Sequence, residues 1–465
     1  MRDTRRRSVI APSKRQTGLY ALNTAYYTVG NIKHQVLVSI ASGGASLFAF
    51  FFLDIISVVY IGLLHDEQAM AAYGVAKAFL FLVSTLQTAF VVSCAALLSK
   101  LIGKGSQRQI AAFIQCLLAL SFSGVAMVVV AELLAFGTVA RWLGIEGRVA
   151  DLCHSYVMIV APAAILMTIV HIATQVLRTA GKATLAMYLT LATSIVFTVT
   201  APLLMFGLDL GIIGNALAYA FTALVCVAVS LIGLGVTVEL RTRRFLWSSI
   251  RIHSCALIRM VLPAWLGNLA TFVSVTFLLQ TLVPFGTAAL AAMTVLDRVI
   301  QASYCFFFAI PNALSPILGQ NIGANKPERV FEAIGYSQQL VLRYGVAIWL
   351  GSLGLAYQFA EFAGLSQTGR SMVGQVLLFA GALWILIGRE LIAVAVFVSF
   401  RHAWYVPIFA WLRATVGTFP FVWAGAHLYG SSGAFIGMLV GNAGTAVLAS
   451  FVSLKLSAKW RAGNG

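Results

Sequence analysis

The chain has 465 residues, of which 60% are hydrophobic and 10% are charged, and its formal net charge is +17. A soluble domain of this size cannot bury so much apolar surface, because the surface of a folded protein grows too steeply with its mass. A soluble enzyme is therefore excluded. The apolar runs lack the period-2 alternation of an outer-membrane barrel, and they indicate an all-α polytopic membrane protein.

Twelve apolar runs are long enough to cross the hydrocarbon core of a bilayer, which takes about 20 helical residues. They lie near residues 36–64, 68–99, 110–137, 152–177, 183–207, 211–237, 255–283, 286–321, 331–360, 371–399, 403–426 and 431–454. These runs predict twelve transmembrane helices.

The basic residues indicate how the chain is oriented. Most of the 31 Lys and Arg residues lie in the two tails and in every second loop, whereas Arg141, Arg148 and Arg370 lie in the loops between. This asymmetry predicts an inner-membrane protein with both termini in the cytoplasm. Residues 1–34 lack the apolar core of a signal peptide. The basic surplus is thus a topology signal, and we expect no nucleic-acid partner.

The two halves of the chain repeat each other. The segment from Ala69 aligns without a gap with the segment from Ala289, so that Gly103 corresponds to Gly323. Each half has an even number of runs, and the halves are therefore predicted to be parallel repeats related by an axis along the membrane normal. The predicted organisation is a cytoplasmic tail (1–34), an N-terminal six-helix lobe (35–237), a cytoplasmic linker (238–254), a C-terminal six-helix lobe (255–456) and a second tail (457–465).

Asp54 is the first candidate site residue. It is the only charged residue in the run 36–64 and lies close to the middle of the bilayer. Burial of a charged carboxylate there costs at least about 2.5–3.5 kcal/mol on insertion scales. This cost favours a group that takes up a proton, and we predict that Asp54 couples transport to protons.

Other ionisable residues lie in the apolar runs of the second half. Arg389 and Glu390 are adjacent in the tenth run, and Asp297 and Arg298 are adjacent in the eighth. Glu390 is a candidate second proton carrier or one member of a structural ion pair. Lys77 lies at the repeat position of Asp297, and a pair between them across the lobes would be either a gate or a static clasp.

Four segments resemble the multidrug and toxic compound extrusion (MATE) transporters. They are LDIISVVYIGLLHDEQAMAAYG from Leu53, LRTAGKATLAMYL from Leu177, LGIIGNALA from Leu210 and PILGQNIGANKPERV from Pro316. The resemblance covers both halves. It implies twelve helices in two six-helix lobes and export of organic compounds in exchange for protons or sodium ions.

The sequence departs from the bacterial MATE pattern in its fifth run. Many members carry Asn-x-x-x-Asp-Pro there, whereas this chain has Phe197 and Ala201 at the Asn and Asp positions, within FTVTAPLL. Tyr219 replaces a frequent Thr of the sixth helix, and Asn268 lies where the seventh helix often has an acid. The loss of these oxygen ligands favours protons over sodium ions as the coupling ion.

The sequence therefore predicts a proton-coupled antiporter that exports small organic or amphipathic compounds, such as drugs or toxic metabolites. Its cavity or gate candidates are Lys77, Asp297, Arg298, Arg389, Asn268 and Tyr219. We expect no enzymatic activity, no metal site and no cofactor beyond the ion gradient, and a monomer in the bilayer. The charge of the substrate stays open between cationic, anionic and zwitterionic. The alternative is a flippase for lipid-linked oligosaccharides, which the basic residues Lys77, Arg298 and Arg389 would suit.

Overall fold

The computed structural model describes residues 26–104, 107–142, 147–237, 247–362, 367–380 and 382–464, and these residues are almost entirely helical. An α-helix satisfies every backbone N–H and C=O group within its own segment. It is therefore one of the two structures that can cross a bilayer without leaving polar groups in hydrocarbon. The predicted all-α class is confirmed.

The helices of the N-terminal half follow the first six apolar runs. They are α1 (Ile32–Gly62), α2 (Glu67–Phe79), α3 (Phe81–Lys104), α4 (Gln107–Trp142), α5 (Gly147–Thr179), α6 (Ala183–Pro202) and α7 (Gly211–Thr237). The Asn31 side chain caps α1 by accepting hydrogen bonds from the backbone N–H groups of Lys33 and His34. The second run is divided between α2 and α3, because the helix is interrupted at Leu80.

The helices of the C-terminal half follow the remaining runs. They are α8 (Trp247–Leu282), α9 (Thr287–Ser303), α10 (Cys305–Gly323), α11 (Pro327–Phe362), α12 (Gln367–Ala380), α13 (Leu383–Ser399), α14 (Tyr405–Ala414) and α15 (Phe419–Asn464). Helix α15 has non-helical dihedral angles at Tyr429 and Gly430, and the φ of Gly430 is +61°. Glycine adopts this left-handed conformation without steric cost. The break separates the eleventh and twelfth predicted runs.

By length and composition, eight helical stretches of the described residues can span a membrane, and a ninth is formed if the bent pair α12 and α13 counts as one span. One of the eight, Tyr405–Arg461, contains both of the last two predicted runs. Every one of the twelve runs is occupied by helix in the residues described.

The repeat is visible in the structure. Helices α2 and α3 correspond to α9 and α10, and each pair is interrupted once. The first interruption is at Leu80, which corresponds to position 300 in the second half. The second interruption is at Tyr304, about one helical turn further along. Both pairs end at corresponding positions, which brings Gly103 and Gly323 to the same level of the molecule.

These two glycines lie at the contact between the lobes. A Cβ atom on Gly323 would be 3.1 Å from the Cα of Gly103, and one on Gly103 would fall on the backbone carbonyl oxygen of Gln320. Equivalent positions of two parallel repeats meet where the symmetry axis passes between them. The contact supports the predicted relation between the halves and needs residues without a side chain.

Polar contacts close the same end of the lobe interface. The Tyr27 backbone N–H donates to Gln320 Oε1 at 2.9 Å, and the Tyr27 hydroxyl donates to the Arg178 carbonyl at 3.0 Å. Gln320 Nε2 donates to the Thr179 carbonyl at 2.7 Å, and Asn321 Nδ2 to the Tyr27 carbonyl at 3.0 Å. Gln320 and Asn321 lie in the last turn of α10, and both are buried. This turn joins the chain ahead of α1 to both lobes.

Asp66 stabilises the loop at the opposite end of α1. Its Oδ1 accepts hydrogen bonds from the backbone N–H groups of Gln68 and Ala69, and its Oδ2 lies 2.7 Å from Arg148 Nη2. The Ala69 bond, and after it the charge of Arg148, hold the pKa of the Asp66 carboxyl below its usual range. This loop is predicted to face outward.

Cysteine labelling tests the predicted orientation. Leu208 and Glu328 are exposed in segments at opposite ends of the helices. In a background lacking the native cysteines, we expect an impermeant thiol reagent applied outside intact cells to label Leu208→Cys and not Glu328→Cys. The reverse pattern would mean that the positive-inside assignment is wrong. The linker around Arg243, also predicted to be cytoplasmic, lies outside the described residues.

Candidate functional site

The candidate site is centred on an ion pair between α1 and α2. Lys77 Nζ lies 2.6 Å from Asp54 Oδ1. Nearly half of each side chain is accessible, 46% for Lys77 and 47% for Asp54, because the pair faces a cavity. Asp54 lies about two helical turns before the end of α1 at Gly62, so this accessible carboxylate lies within the membrane-spanning part of the protein.

Aromatic side chains line one part of this cavity, which we name the aromatic part. It encloses about 380 Å³, and its walls include Asp54, Lys77, Tyr73, Tyr156, Phe197 and Tyr219. Lys77 Nζ lies 5.5 Å from the centroid of the Tyr73 ring, which meets the Tyr156 ring edge to face. The Tyr156 hydroxyl donates to Asn215 Oδ1 at 3.0 Å. These contacts fix the tyrosine rings, and they offer a preformed surface for a flat organic group.

A second part of about 360 Å³ extends from Asp54 to the lobe interface, and we name it the arginine part. Its walls include Ser46, Thr174, Gln175, Arg178 and Asn312. Asp54, Ser84, Gln87 and His171 line both parts, which are therefore adjacent. Asn312 lies on α10, so the cavity, which lies mainly within the N-terminal lobe, reaches the C-terminal lobe at this helix.

The proposed pair between Lys77 and Asp297 is wrong for this conformation. Lys77 binds Asp54 in its own lobe, and Asp297 accepts a hydrogen bond from Gln301 Nε2 at 2.6 Å on α9. Equivalent positions in a repeat share a level in the membrane, but each helix turns its residues toward a different neighbour. Arg298 follows Asp297 on α9, and its side chain is outside the described part of the structure.

Glu390 pairs with an arginine of another helix. Glu390 on α13 is 3% exposed, and Arg413 Nη1 on α14 lies 3.2 Å from its Oε1. Among the described residues, neither Glu390 Oε2 nor the adjacent Arg389 Nε has a hydrogen-bond partner. Neither residue lines the two cavity parts described above. Their roles as a proton carrier and a cavity residue remain predictions.

Asn268 and Tyr219 have different surroundings. Asn268 Nδ2 donates to the Thr85 carbonyl at 3.1 Å, and Trp265 Nε1 donates to Thr85 Oγ1 at 3.2 Å. Both bonds join α8 to α3, so Asn268 is a contact between the lobes. Tyr219 lies in the wall of the aromatic part, and its role in substrate binding stays a prediction.

Two charged residues that are buried in the structure were not predicted from the sequence as site residues. Arg178 appeared only as part of the Leu-Arg-x-x-Gly segment, but it lies in the cavity wall. Glu132 on α4 is 7% exposed and lies near the backbone of Val83 at the start of α3. Asp54 is therefore not the only acid deep in the first lobe. Glu132 could have been identified from the sequence, because it is a lone acid within an apolar run.

Comparison with known proteins identifies the family. The MatE family model matches residues 44–203 and 263–415. An uncharacterized 21 kDa protein in the iaaL 5′ region of Pseudomonas savastanoi is 38% identical over 188 residues, which are 40% of this chain and 61% of that protein. A FAD transporter of Shewanella oneidensis is 27% identical over 296 residues, 61% of this chain and 64% of that protein. The chain thus spans about three fifths of the length of these curated relatives.

Solved structures show the same fold. The Vibrio cholerae MATE transporter VcmN in its bent form has a TM-score of 0.85 and 22% identity, over 92% of this chain and 97% of that one. A MOP superfamily transporter from Pyrococcus furiosus has a TM-score of 0.85 and 18% identity, over 96% and 99%. Both are transporters with the two-lobe architecture described above. Because the family model covers most of both lobes, the chain belongs to the MatE family of membrane transporters.

Proposed function

We propose that the chain is a proton-coupled antiporter that exports small organic compounds through the cavity at Asp54. The observation that carries this proposal is the 2.6 Å ion pair between Asp54 and Lys77 in the wall of an accessible cavity. Coupled transport needs a site whose charge changes during the cycle and whose charge favours one conformation over another. A carboxylate bound to an ammonium group on a neighbouring helix has both properties.

Protonation of Asp54 would remove the ionic bond between α1 and α2. Lys77 would then keep its positive charge without a partner, and the two helices would be free to change their relative position. Both helices contribute to the aromatic part, so its shape would change with them. Proton uptake and substrate binding would in this way favour different shapes of one cavity, which is the requirement for exchange.

The surroundings of Asp54 favour protons over sodium ions. A hard cation bound by oxygen takes about six ligands. One Asp54 oxygen is already bonded to Lys77, and the nearby cavity wall carries the hydrocarbon ring of Phe197. A sodium ion would have to displace an ammonium group from the carboxylate before hydroxyl or amide oxygens of the wall could complete its ligand shell. A proton needs the carboxylate alone.

The size and walls of the cavity suit a compound with an aromatic body. Two adjacent parts of about 380 and 360 Å³ match the range of about 300–1,000 Å³ that accommodates drug-sized ligands. This volume favours a small organic compound over a lipid-linked oligosaccharide. The relative named as a FAD transporter supports including aromatic nucleotides among the compounds to be tested.

Transport in proteoliposomes tests the proposal. The purified protein is reconstituted, and movement of aromatic dyes and of FAD is followed under a pH gradient or a sodium gradient. We expect the pH gradient to drive substrate in the direction opposite to protons and the sodium gradient at fixed pH to have no effect. Movement driven by sodium alone would contradict the proposed coupling. Movement with the protons would contradict antiport.

A further inference from the structure

Arg178 is a buried cation at one end of the cavity that the proposed coupling site does not use. It lies in the last turn of α5, it is 6% exposed, and it lines the arginine part. Burial of a charged group without an opposite charge is costly unless its hydrogen-bonding capacity is satisfied. The partners of this guanidinium therefore indicate whether its hydrogen-bond donors are satisfied without a ligand.

The Arg178 guanidinium has weak and incomplete partners. Nη2 donates to Ser46 Oγ at 3.2 Å and Nη1 to Gln175 Oε1 at 3.4 Å, and both acceptors are neutral. Among the described residues, Nε has no hydrogen-bond partner, and no carboxylate forms a salt bridge with Arg178. A guanidinium has five N–H donors in a planar fork that matches a carboxylate or a phosphate. The negative C-terminal end of the α5 dipole offsets part of the positive charge of Arg178. It does not provide hydrogen-bond acceptors for the free N–H donors of the guanidinium.

In the part of the chain that the structure describes, the cavity wall also has no carboxylate that could pair with Arg178. Its acidic side chain is Asp54 and its basic side chains are Lys77, Arg178 and His171, and the single carboxylate is bonded to Lys77 at 2.6 Å. The ion pair is neutral as a whole, so the positive charge of Arg178 is left over. An anionic ligand would neutralise it, whereas a cationic ligand would add to it in a region of low dielectric constant.

We propose that Arg178 binds an anionic oxygen group, a carboxylate or a phosphate, of the transported compound, whose aromatic body occupies the aromatic part. This inference rests on the proposed role of the cavity as the transport path. It assigns an orientation to the ligand, with its anionic group toward the lobe interface and its rings beside Tyr73, Tyr156 and Tyr219. Asn312 would complete the site, since its Oδ1 has no donor among the described residues and rotation of the amide would present its NH₂ group instead.

Binding to the purified protein in detergent tests this assignment without requiring transport. The ligands form a matched series that differs in charge: naphthyl phosphate, naphthoate, naphthol and naphthylmethylammonium. We expect the two anions to bind more tightly than naphthol, and the ammonium compound to bind most weakly. Arg178→Gln should weaken binding of the anions at least about tenfold, equivalent to about 1.4 kcal/mol, and leave the affinity for naphthol unchanged. Arg178→Lys should recover part of the loss.

Arg343→Gln is the control, because it removes an exposed arginine from α11 outside the cavity. The charge series on the wild-type protein remains decisive if Arg178→Gln does not fold. Tighter binding of the ammonium compound than of the anions would overturn the inference, as would anion affinities that Arg178→Gln leaves unchanged.

A lipid headgroup is the alternative source of a phosphate at Arg178. Binding measured in nanodiscs with and without phosphatidylglycerol distinguishes this source from the transported compound. If Arg178 affects only the affinity for this lipid, the group that it binds belongs to a lipid headgroup and the assignment to the substrate is wrong.

The two proposals can fail separately. If the anions bind through Arg178 but proteoliposomes show no proton-driven exchange, the proposed function is wrong and the anion site stands. If proton-driven exchange is observed with compounds whose binding does not depend on Arg178, the coupling proposal stands and the anion site is wrong.

Discussion

Replacement of Asp54 by Asn is expected to abolish transport driven by a pH gradient. Asn is neutral at every pH and nearly isosteric with the protonated acid, so the site can no longer change its charge. We expect the initial rate to fall at least about tenfold, the factor that corresponds to about 1.4 kcal/mol, and to reach the rate of protein-free liposomes. Asp54→Glu keeps a titratable group at a slightly different distance from Lys77, and it should retain partial activity with a shifted pH optimum.

Two further variants separate loss of coupling from damage to the fold. Asp54→Asn leaves the Lys77 ammonium without its partner, and an uncompensated charge in a protein interior is destabilising. The double variant with Lys77→Met removes both charges, and it should restore thermal stability without restoring proton-driven transport. Asp151→Asn is the matched control, because Asp151 is exposed near the start of α5. Wild-type transport by Asp54→Asn would show that the coupling site lies elsewhere, and Glu132 and Glu390 would be the next acids to test.

A side chain at Gly103 is expected to prevent the lobes from closing at the end predicted to be cytoplasmic. In Gly103→Leu the new Cβ would fall on the backbone carbonyl oxygen of Gln320, which cannot move aside as a side chain can. Overpacking of this kind typically costs about 1–3 kcal/mol. It would shift the equilibrium toward the state open at this end by roughly 5–150-fold. Alternating access needs both states, so exchange should fall by a factor of roughly 5–150.

Accessibility of the interface gives a direct measurement of this shift. Ala313 is buried on α10, where its carbonyl accepts a hydrogen bond from Ser39 Oγ on α1. A cysteine at position 313, in a background lacking the native cysteines, should react faster with a thiol reagent when Gly103→Leu is present. Gly335→Leu is the matched control, because no atom lies within 4 Å of its new Cβ. Normal exchange by Gly103→Leu would mean that this contact does not close during the cycle.

Local sequence patterns predicted the fold correctly because the forces that set it are local. Twenty apolar residues in succession specify a spanning helix wherever they occur, since lipid leaves the backbone no other partner than itself. The 220-residue repeat placed Gly103 and Gly323 at equivalent positions, and the structure brings them together. The break between the last two helices was also visible in the sequence, as the gap 427–430 between the last two predicted runs.

The pairing of charges inside the membrane was less predictable. Asp54, Lys77, Asp297 and Glu390 were each recognised as unusual for their surroundings, but their partners depend on how far each helix is rotated about its axis. Lys77 binds Asp54 and not Asp297, and Glu390 binds Arg413 and not the adjacent Arg389. A rotation of about 100° per residue separates neighbours on a helix. Hydropathy does not fix that angle when most of the helix is apolar on all sides.

The sequence by itself determined the all-α membrane class, the two repeated halves and the membership of the family, and it singled out Asp54 as a candidate. Each of these follows from residue types and their spacing along the chain. The tertiary structure decided that Lys77 is the partner of Asp54, that the cavity extends from aromatic walls to Arg178, and that the last turn of α10 joins the lobes. These features depend on side chains from helices far apart in the chain. Their distances are set by helix tilt and rotation, which arise only when all the helices pack together.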